Sequence, residues 1–218
     1  MATHSLKHSA SPLRPLPHSD QECSASETPA PSAVQCYDPS FEERRDKQQY
    51  FYSRKTAAVL VNAILDYCGW EKERVEKEVV CLCAPSIAEI FHHEHDIDVA
   101  LLDVDTRFSY LPRFHNFDLL SPERPTECSP FSLILFDPPY FGIPMAAMRA
   151  AVDTIAAPKA RLIVGFLRRD EHQLIHDFPS LVRTSAVVEY DRVRESRWSN
   201  YAIYSNCDLP GIRRVKHK

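Results

Sequence analysis

Between Phe131 and Phe136 the chain reads Phe-Ser-Leu-Ile-Leu-Phe and then stops at Asp137-Pro138-Pro139-Tyr140. A short run this apolar suits a strand buried on both faces of a parallel sheet, because a strand with one wet face would alternate. In open sheets of that kind ligands collect just beyond the carboxyl ends of the strands. Asp137 is therefore expected at the rim of a site. The prolines supply no backbone N–H, and each turns its predecessor away from helical geometry, so the loop is stiff and rich in acceptors. A nitrogen that carries hydrogens can donate to the Asp137 carboxylate and to the Pro138 carbonyl, and Tyr140 offers a flat ring beside them. The bland alternative is an Asp-Pro-Pro turn that only ends a strand.

The rest of the chain supplies a sheet for this strand. Apolar runs predict strands near 78–83, 99–103, 113–117, 131–136, 160–166, 185–191 and 201–206, with helices near 86–93, 143–156 and 170–177. Ahead of them Thr56–Tyr67 has helical apolar spacing, with Ser53 placed to cap it and Gly69 to end it. The alternation predicts an α/β fold with a doubly wound, Rossmann-like, mostly parallel sheet of seven strands. The last two strands leave no room for a good helix between them and are expected to pair antiparallel at an edge. Residues 1–40 hold six prolines among Ser, Ala, His and Thr and read as a disordered tail. Residues 41–210 read as the one catalytic domain and 211–218 as a basic tail.

Composition narrows the function classes. A formal net charge of −4 and a pI near 6.2 argue against binding nucleic acid through bulk charge. The C-terminal end is locally positive, since Arg183, Arg192, Arg194, Arg197, Arg213, Arg214, Lys216 and Lys218 outnumber Glu189, Asp191, Glu195 and Asp208. No apolar run approaches the roughly 18 residues that span a bilayer, so no membrane partner is expected. The seven cysteines include no Cys-x-x-Cys pair and follow no signal peptide, which points to a reduced intracellular compartment. Pro12, Pro15 and Pro17 oppose the amphipathic helix of a mitochondrial presequence. Cys81 and Cys83 are expected to pack on one strand face as small hydrophobes. His92-His93-Glu94-His95 has no partner at metal-ligand spacing, so it reads as a solvated helix end and no metal is expected.

The cofactor side can be located from the strand ends. The first strand-to-helix turn, Cys83-Ala84-Pro85-Ser86, lacks the Gly-x-Gly that lets a pyrophosphate approach the backbone. Ala84 and Ser86 are small enough to admit part of a ligand without phosphate, unless Ser86 simply caps a helix. Asp103 ends the second strand, where a carboxylate can hold ribose hydroxyls. Asp105 is placed to orient the following loop, with an ion pair to Arg107 as the plainer role. Asn116 and Asp118, at the end of the third strand, are candidates for the edge of a base.

Four motifs stand in order: Tyr50-Phe51-Tyr52-Ser53, Ala84-Pro85-Ser86, Asp105-Thr106-Arg107-Phe108 and Asp137-Pro138-Pro139-Tyr140. With them, the chain from about Gln48 to Asn206 resembles the DPPY-type family of adenine methyltransferases. The resemblance implies a class I fold, S-adenosylmethionine as cofactor and methyl transfer to nitrogen. It implies Asp137, Pro138, Pro139 and Tyr140 as the catalytic loop and Tyr52 and Ser53 as part of a segment closing over the cofactor. Phe141 and Trp198 fall on the substrate side. Two branches compete. Leu102-Asp103-Val104-Asp105, Asp137–Gly142, Phe178–Leu181 and Val188–Asp191 resemble the branch that methylates adenine in ribosomal RNA, although its zinc modules are missing. Cys83–Ser86 and the short length resemble the branch that methylates a lysine of translation elongation factor 1-alpha, although Trp198-Ser199-Asn200-Tyr201 replaces its C-terminal signature. RNA adenine is favoured, protein lysine is the alternative, and a non-catalytic binding module is the third reading. Either substrate implies the cytoplasm, and RNA also the nucleus.

Overall fold

A computed structural model describes residues 31–215. The chain enters through α1 (Arg54–Cys68) and α2 (Lys72–Glu78), then alternates β1 (Val79–Leu82), α3 (Pro85–His95), β2 (Ala100–Asp103), β3 (Phe114–Asn116), β4 (Phe131–Phe136), α4 (Met145–Ile155), β5 (Ala156–Leu167), α5 (Glu171–Asp177), β6 (Val182–Arg183) and β7 (Tyr201–Ser205). The seven strands form one sheet in the order β3-β2-β1-β4-β5-β7-β6, with β7 antiparallel to both of its neighbours. β1 and β4 are buried on both sides, as their apolar runs require.

Alternate residues of each strand serve two different core layers. Leu60, Ile64, Ile87 and Phe91 of α1 and α3 pack on Cys81, Leu101, Leu133 and Leu135. Met148, Val152 and Ile155 of α4 share the opposite layer with Leu82, Leu102, Ile134 and Phe136. Burying each such side chain contributes about 1.5–3 kcal/mol. The Ser53 hydroxyl accepts the Thr56 N–H at 3.2 Å, and Gly69 at φ 69° closes α1. No described helix is long and apolar enough to cross a membrane.

Several expectations need correction. Residues 185–191 form no strand; the edge strand is Val182–Arg183. Val188 and Tyr190 alternate with polar residues as a strand would, but they are buried against the α1 side of the sheet, where Tyr190 makes an isolated antiparallel bridge to Tyr52. The outer edge of β6 is taken by the C-terminal segment, whose Arg213 carbonyl accepts from Ser185 and whose Val215 N–H donates to Arg183. The segment expected as a tail from 211 is thus paired through Val215, and 216–218 lie outside the described residues. Cys81 and Cys83 do not share a face: Cys83 leaves the strand at φ 52° and turns to the opposite layer.

The N-terminal boundary also moves. Residues 1–30 of the expected tail lie outside the described residues, but Val34 and Cys36 are buried. They are pinned by Glu89 of α3, a fully buried carboxylate that accepts the Gln35 N–H at 2.7 Å, the Cys36 N–H at 2.9 Å and the Tyr110 hydroxyl. Glu89→Ala strands three donors, so urea unfolding is expected to show a loss of about 3 kcal/mol, with Glu89→Gln losing less. A Glu89→Ala midpoint equal to the wild type would remove this anchor.

Candidate active site

Asp137 is positioned by the sheet itself. Its N–H donates to the Leu82 carbonyl at 3.1 Å, continuing the β1–β4 ladder one residue past the end of β4. The same device extends its neighbours: the Cys83 N–H reaches Leu102, and the Phe117 N–H reaches Asp103. Four strand ends therefore converge, and between them lies a cavity of about 290 Å³.

Three phenols surround the Asp137 carboxylate. Tyr140 folds back so that its hydroxyl donates to Asp137 Oδ1 at 3.2 Å, and the Tyr190 hydroxyl contacts both the Tyr140 hydroxyl and, at 3.5 Å, Oδ1. Each phenol has one proton, so the chain that satisfies them runs from Tyr190 to Tyr140 to Oδ1. Tyr52 stacks on Tyr190, with centroids 5.0 Å apart, and its buried hydroxyl lies beside the carboxylate without a hydrogen bond of good geometry. Among the described residues no donor reaches Oδ2, which leaves that oxygen for a ligand. Burial pushes the Asp137 carboxyl up to about 7, against the opposing pull of the three phenols.

The cofactor half of the cavity is lined by Cys83, Pro85 and Ser86 from the first turn, by Asp103 and Val104, and by Phe117, Asp118 and Leu119 after β3. Asp103 is buried, and this pushes its carboxyl up to about 6 although the Asp105 N–H donates to it at 2.8 Å. Lys47 is the one cation among the lining residues. Such a surface has no cluster of positive charge for a pyrophosphate. Its carboxylates and apolar walls suit a ligand with a cationic centre, ribose hydroxyls and a flat base, which is the chemistry of S-adenosylmethionine.

Of the residues expected from the sequence, Asp137, Pro138, Pro139, Tyr140, Phe141, Ser86, Asp103 and Asp118 line this cavity. The others do not. Asp105 is consumed by Arg107, which grips both of its oxygens at 2.6–3.0 Å, and by Gln49 at 3.1 Å. Those bonds hold the Asp105 carboxyl below its usual range despite burial. Asn116 is exposed outside the cavity, Ala84 is buried beneath it, and Ser53 caps α1. Tyr52 lies under Asp137 rather than over the cofactor. The Trp198 indole donates to the Val193 carbonyl at 2.9 Å and lies off the cavity.

Of the segment expected to close over the site, Tyr50–Ser53, only Tyr50 lines the cavity, and sequence reasoning missed the four residues before it. Asp46 to Tyr50 form one wall, fixed because the Gln48 side chain accepts the Phe141 N–H at 2.5 Å and donates to the Phe141 carbonyl. Arg107 ties the same segment down through the Glu42 carbonyl and Gln49, both at 2.9 Å. Gly165 was also missed. A Cβ there would land on the Tyr52 hydroxyl and within 2.8 Å of Asp137 Oδ1.

Fold and site together define an S-adenosylmethionine-dependent methyltransferase on a Rossmann-like sheet. Residues 43–209 match the family model described as "Probable N6-adenine methyltransferase", and the chain belongs to that family. Among curated proteins compared, none matches. The chain is similar to solved structures of TrmN from Thermus thermophilus (16% identity, 74% of this chain and 52% of that one, TM-score 0.44), N-methyltransferase NodS from Bradyrhizobium japonicum WM9 (14%, 75% and 96%, 0.46) and 23S rRNA methyltransferase ErmE (16%, 78% and 71%, 0.43). It spans about half the length of the TrmN chain.

Two outcomes are expected. Gly165→Ala forces Tyr52 and Asp137 apart, so turnover is expected to fall at least about tenfold while the fold survives, as circular dichroism would check; unchanged kcat would show that the pocket floor yields. The folded Asp137 value near 7 lies above the unfolded value near 3.9, so the native protein holds an extra proton between them. That contribution to stability is present at low pH and is lost as pH rises through about 7, whereas kcat/KM, which needs the ionised form, rises over the same range. A flat kcat/KM profile from pH 5.5 to 8.5 would contradict this assignment.

Proposed function

We propose that this enzyme methylates the exocyclic amine of adenine in RNA, with ribosomal RNA as the substrate class. The observation that carries this is the pairing of a free Asp137 Oδ2 with the Pro138 carbonyl, which accepts no hydrogen bond among the described residues. Two open acceptors, with the loop's own donors already engaged by Asp137 Oδ1 and Gln48, match an amine with two hydrogens. The family description supports the same acceptor.

When bound, S-adenosylmethionine supplies an electrophilic methyl group on a sulfonium. Asp103 would hold its ribose, with Phe117, Leu119 and Asp118 around its base and Cys83, Pro85 and Ser86 beside the remainder. The protein's own task is alignment. Asp137 and Pro138 orient the amine and draw its lone pair out of conjugation with the ring, and most of the rate enhancement available comes from that positioning. Asp137, with its pKa near 7, is also a stronger base than an ordinary carboxylate and can receive the proton that the amine must lose. The Tyr140–Tyr190 pair keeps Oδ1 engaged so that Oδ2 faces the amine. Tyr50 and Tyr140 are near parallel, 17° apart with centroids 6.5 Å apart, and both present ring surface to the cavity. A flat heterocycle can stack on such surfaces.

The second reading is a lysine of translation elongation factor 1-alpha. It is favoured by Asp46, Asp118 and Asp137, which line the cavity and attract an ammonium. Such an amine, with its ordinary pKa near 10.4, must lose a proton before it can attack. Both substrates belong to the translation machinery, and we place the enzyme in the cytoplasm and, for RNA, also the nucleus.

Asp137→Asn is expected to lower turnover by about 10²-fold or more while cofactor affinity measured by calorimetry stays within about twofold. With methyl-labelled S-adenosylmethionine and a lysate split into RNA and protein fractions, label is expected in large ribosomal RNA and absent with the variant. Label in a protein of the elongation factor's size would replace the adenine reading with the lysine one.

A further inference from the structure

We propose that a polar groove beside the catalytic cavity docks the single-stranded RNA flanking the target base, with Arg45, Arg194 and Arg197 holding its phosphates. This inference rests on the RNA reading above and adds the surface that would serve it. The groove has a volume of about 1060 Å³ and is formed where the segment before α1 faces the chain entering β7. It adjoins the cavity across the segment that walls it, because Asp46 and Tyr50 line both spaces.

The charges in the groove are unevenly committed. Arg45, Arg194 and Arg197 are exposed, and their side chains make no hydrogen bond or ion pair among the described residues. The acids beside them are mostly engaged. Glu43 turns inward to accept the Phe51 N–H at 3.0 Å, and Asp46 is paired with Arg44 at 2.6 Å. Glu42 alone among the groove's acids has a carboxylate without a partner among the described residues. Five arginines against three carboxylates among the lining residues make the groove positive although the whole chain carries −4. A lysine-bearing protein segment would be repelled there.

Two tyrosines, Tyr50 and Tyr201, line the groove, and Tyr140 of the cavity lies 6.5 Å from the first and 5.5 Å from the second by ring centroids. Cations along a groove with aromatic rings at its base are the arrangement by which single strands are held, since phosphates meet the charges and bases stack on the rings. A duplex would keep its bases away from the rings. The strand therefore arrives unpaired, and the target base passes Tyr50 into the cavity beside Asp137.

The test uses the full chain and a labelled, adenine-containing single-stranded oligoribonucleotide in fluorescence anisotropy across a range of salt. Arg45→Gln/Arg194→Gln/Arg197→Gln is expected to lose about tenfold or more in affinity, and its log–log salt dependence to flatten by about 2. Cofactor affinity and melting temperature are expected to stay at the wild-type values. Arg149→Gln, whose partner Asp153 lies on α4, serves as a control with unchanged RNA binding. Equal affinity of the triple variant and the wild type, or an equal loss in the control, would overturn the groove. RNA that binds through the three arginines but is never methylated would keep the groove and sink the adenine reading. RNA methylated equally well by wild type and triple variant would do the reverse, and failure to bind RNA together with label on a protein would sink both.

Discussion

The candidate site depends on one carboxylate kept largely out of water at the tip of a parallel ladder. Asp137 is aimed by a main-chain bond to Leu82, so its place is set by the register of β1 and β4 rather than by the flexibility of a loop. Burial makes the charge expensive and raises the carboxyl to about 7, and the phenols of Tyr52, Tyr140 and Tyr190 offset part of that cost. The phenols in turn need room. Gly165 of β5 provides it, since a side chain there would occupy the space of the Tyr52 hydroxyl.

A second constraint closes the site from the N-terminal side. Arg107 reaches from the end of β2 to Asp105, Gln49 and the Glu42 carbonyl and lies over the Phe41 ring at 4.3 Å. Its several planar donors suit that divergent set of acceptors. The segment from Glu42 to Tyr50 is thereby held across the strand ends, and the Gln48 amide latches it to the Asp137–Phe141 loop. Cofactor side and acceptor side are coupled through a single stretch of chain. The same stretch forms the boundary between the cavity and the arginine-lined groove.

Much of the fold was legible because it follows local rules. Apolar runs marked β1, β2, β4 and β7, helical spacing and a Ser cap marked α1, and Asp137-Pro138-Pro139-Tyr140 announced a stiff, acceptor-rich turn. The weakest sequence inferences came where a local pattern had two uses. Val188-Glu189-Tyr190 alternates like a strand, yet its apolar residues pack beneath the site while the edge is completed by residues from the C-terminus. Asp103 and Asp105 look equivalent in sequence; only Asp105 meets a guanidinium, and so only Asp103 remains for a ligand.

The sequence by itself determined the sheet and the stiff, acceptor-rich loop, because burial periodicity and proline stereochemistry act over a few residues at a time, and its ordered motifs carried the resemblance to a methyltransferase family. Tertiary structure alone decided which side chains share the cavity. Gln48, Tyr50 and Tyr190 reach Tyr140 and Phe141 across about 50 to 90 positions of chain, and Gly165 matters only because Tyr52 arrives from the far side of α1. Contacts of that range are set by strand order and packing, which leave no periodic mark in the residues that make them.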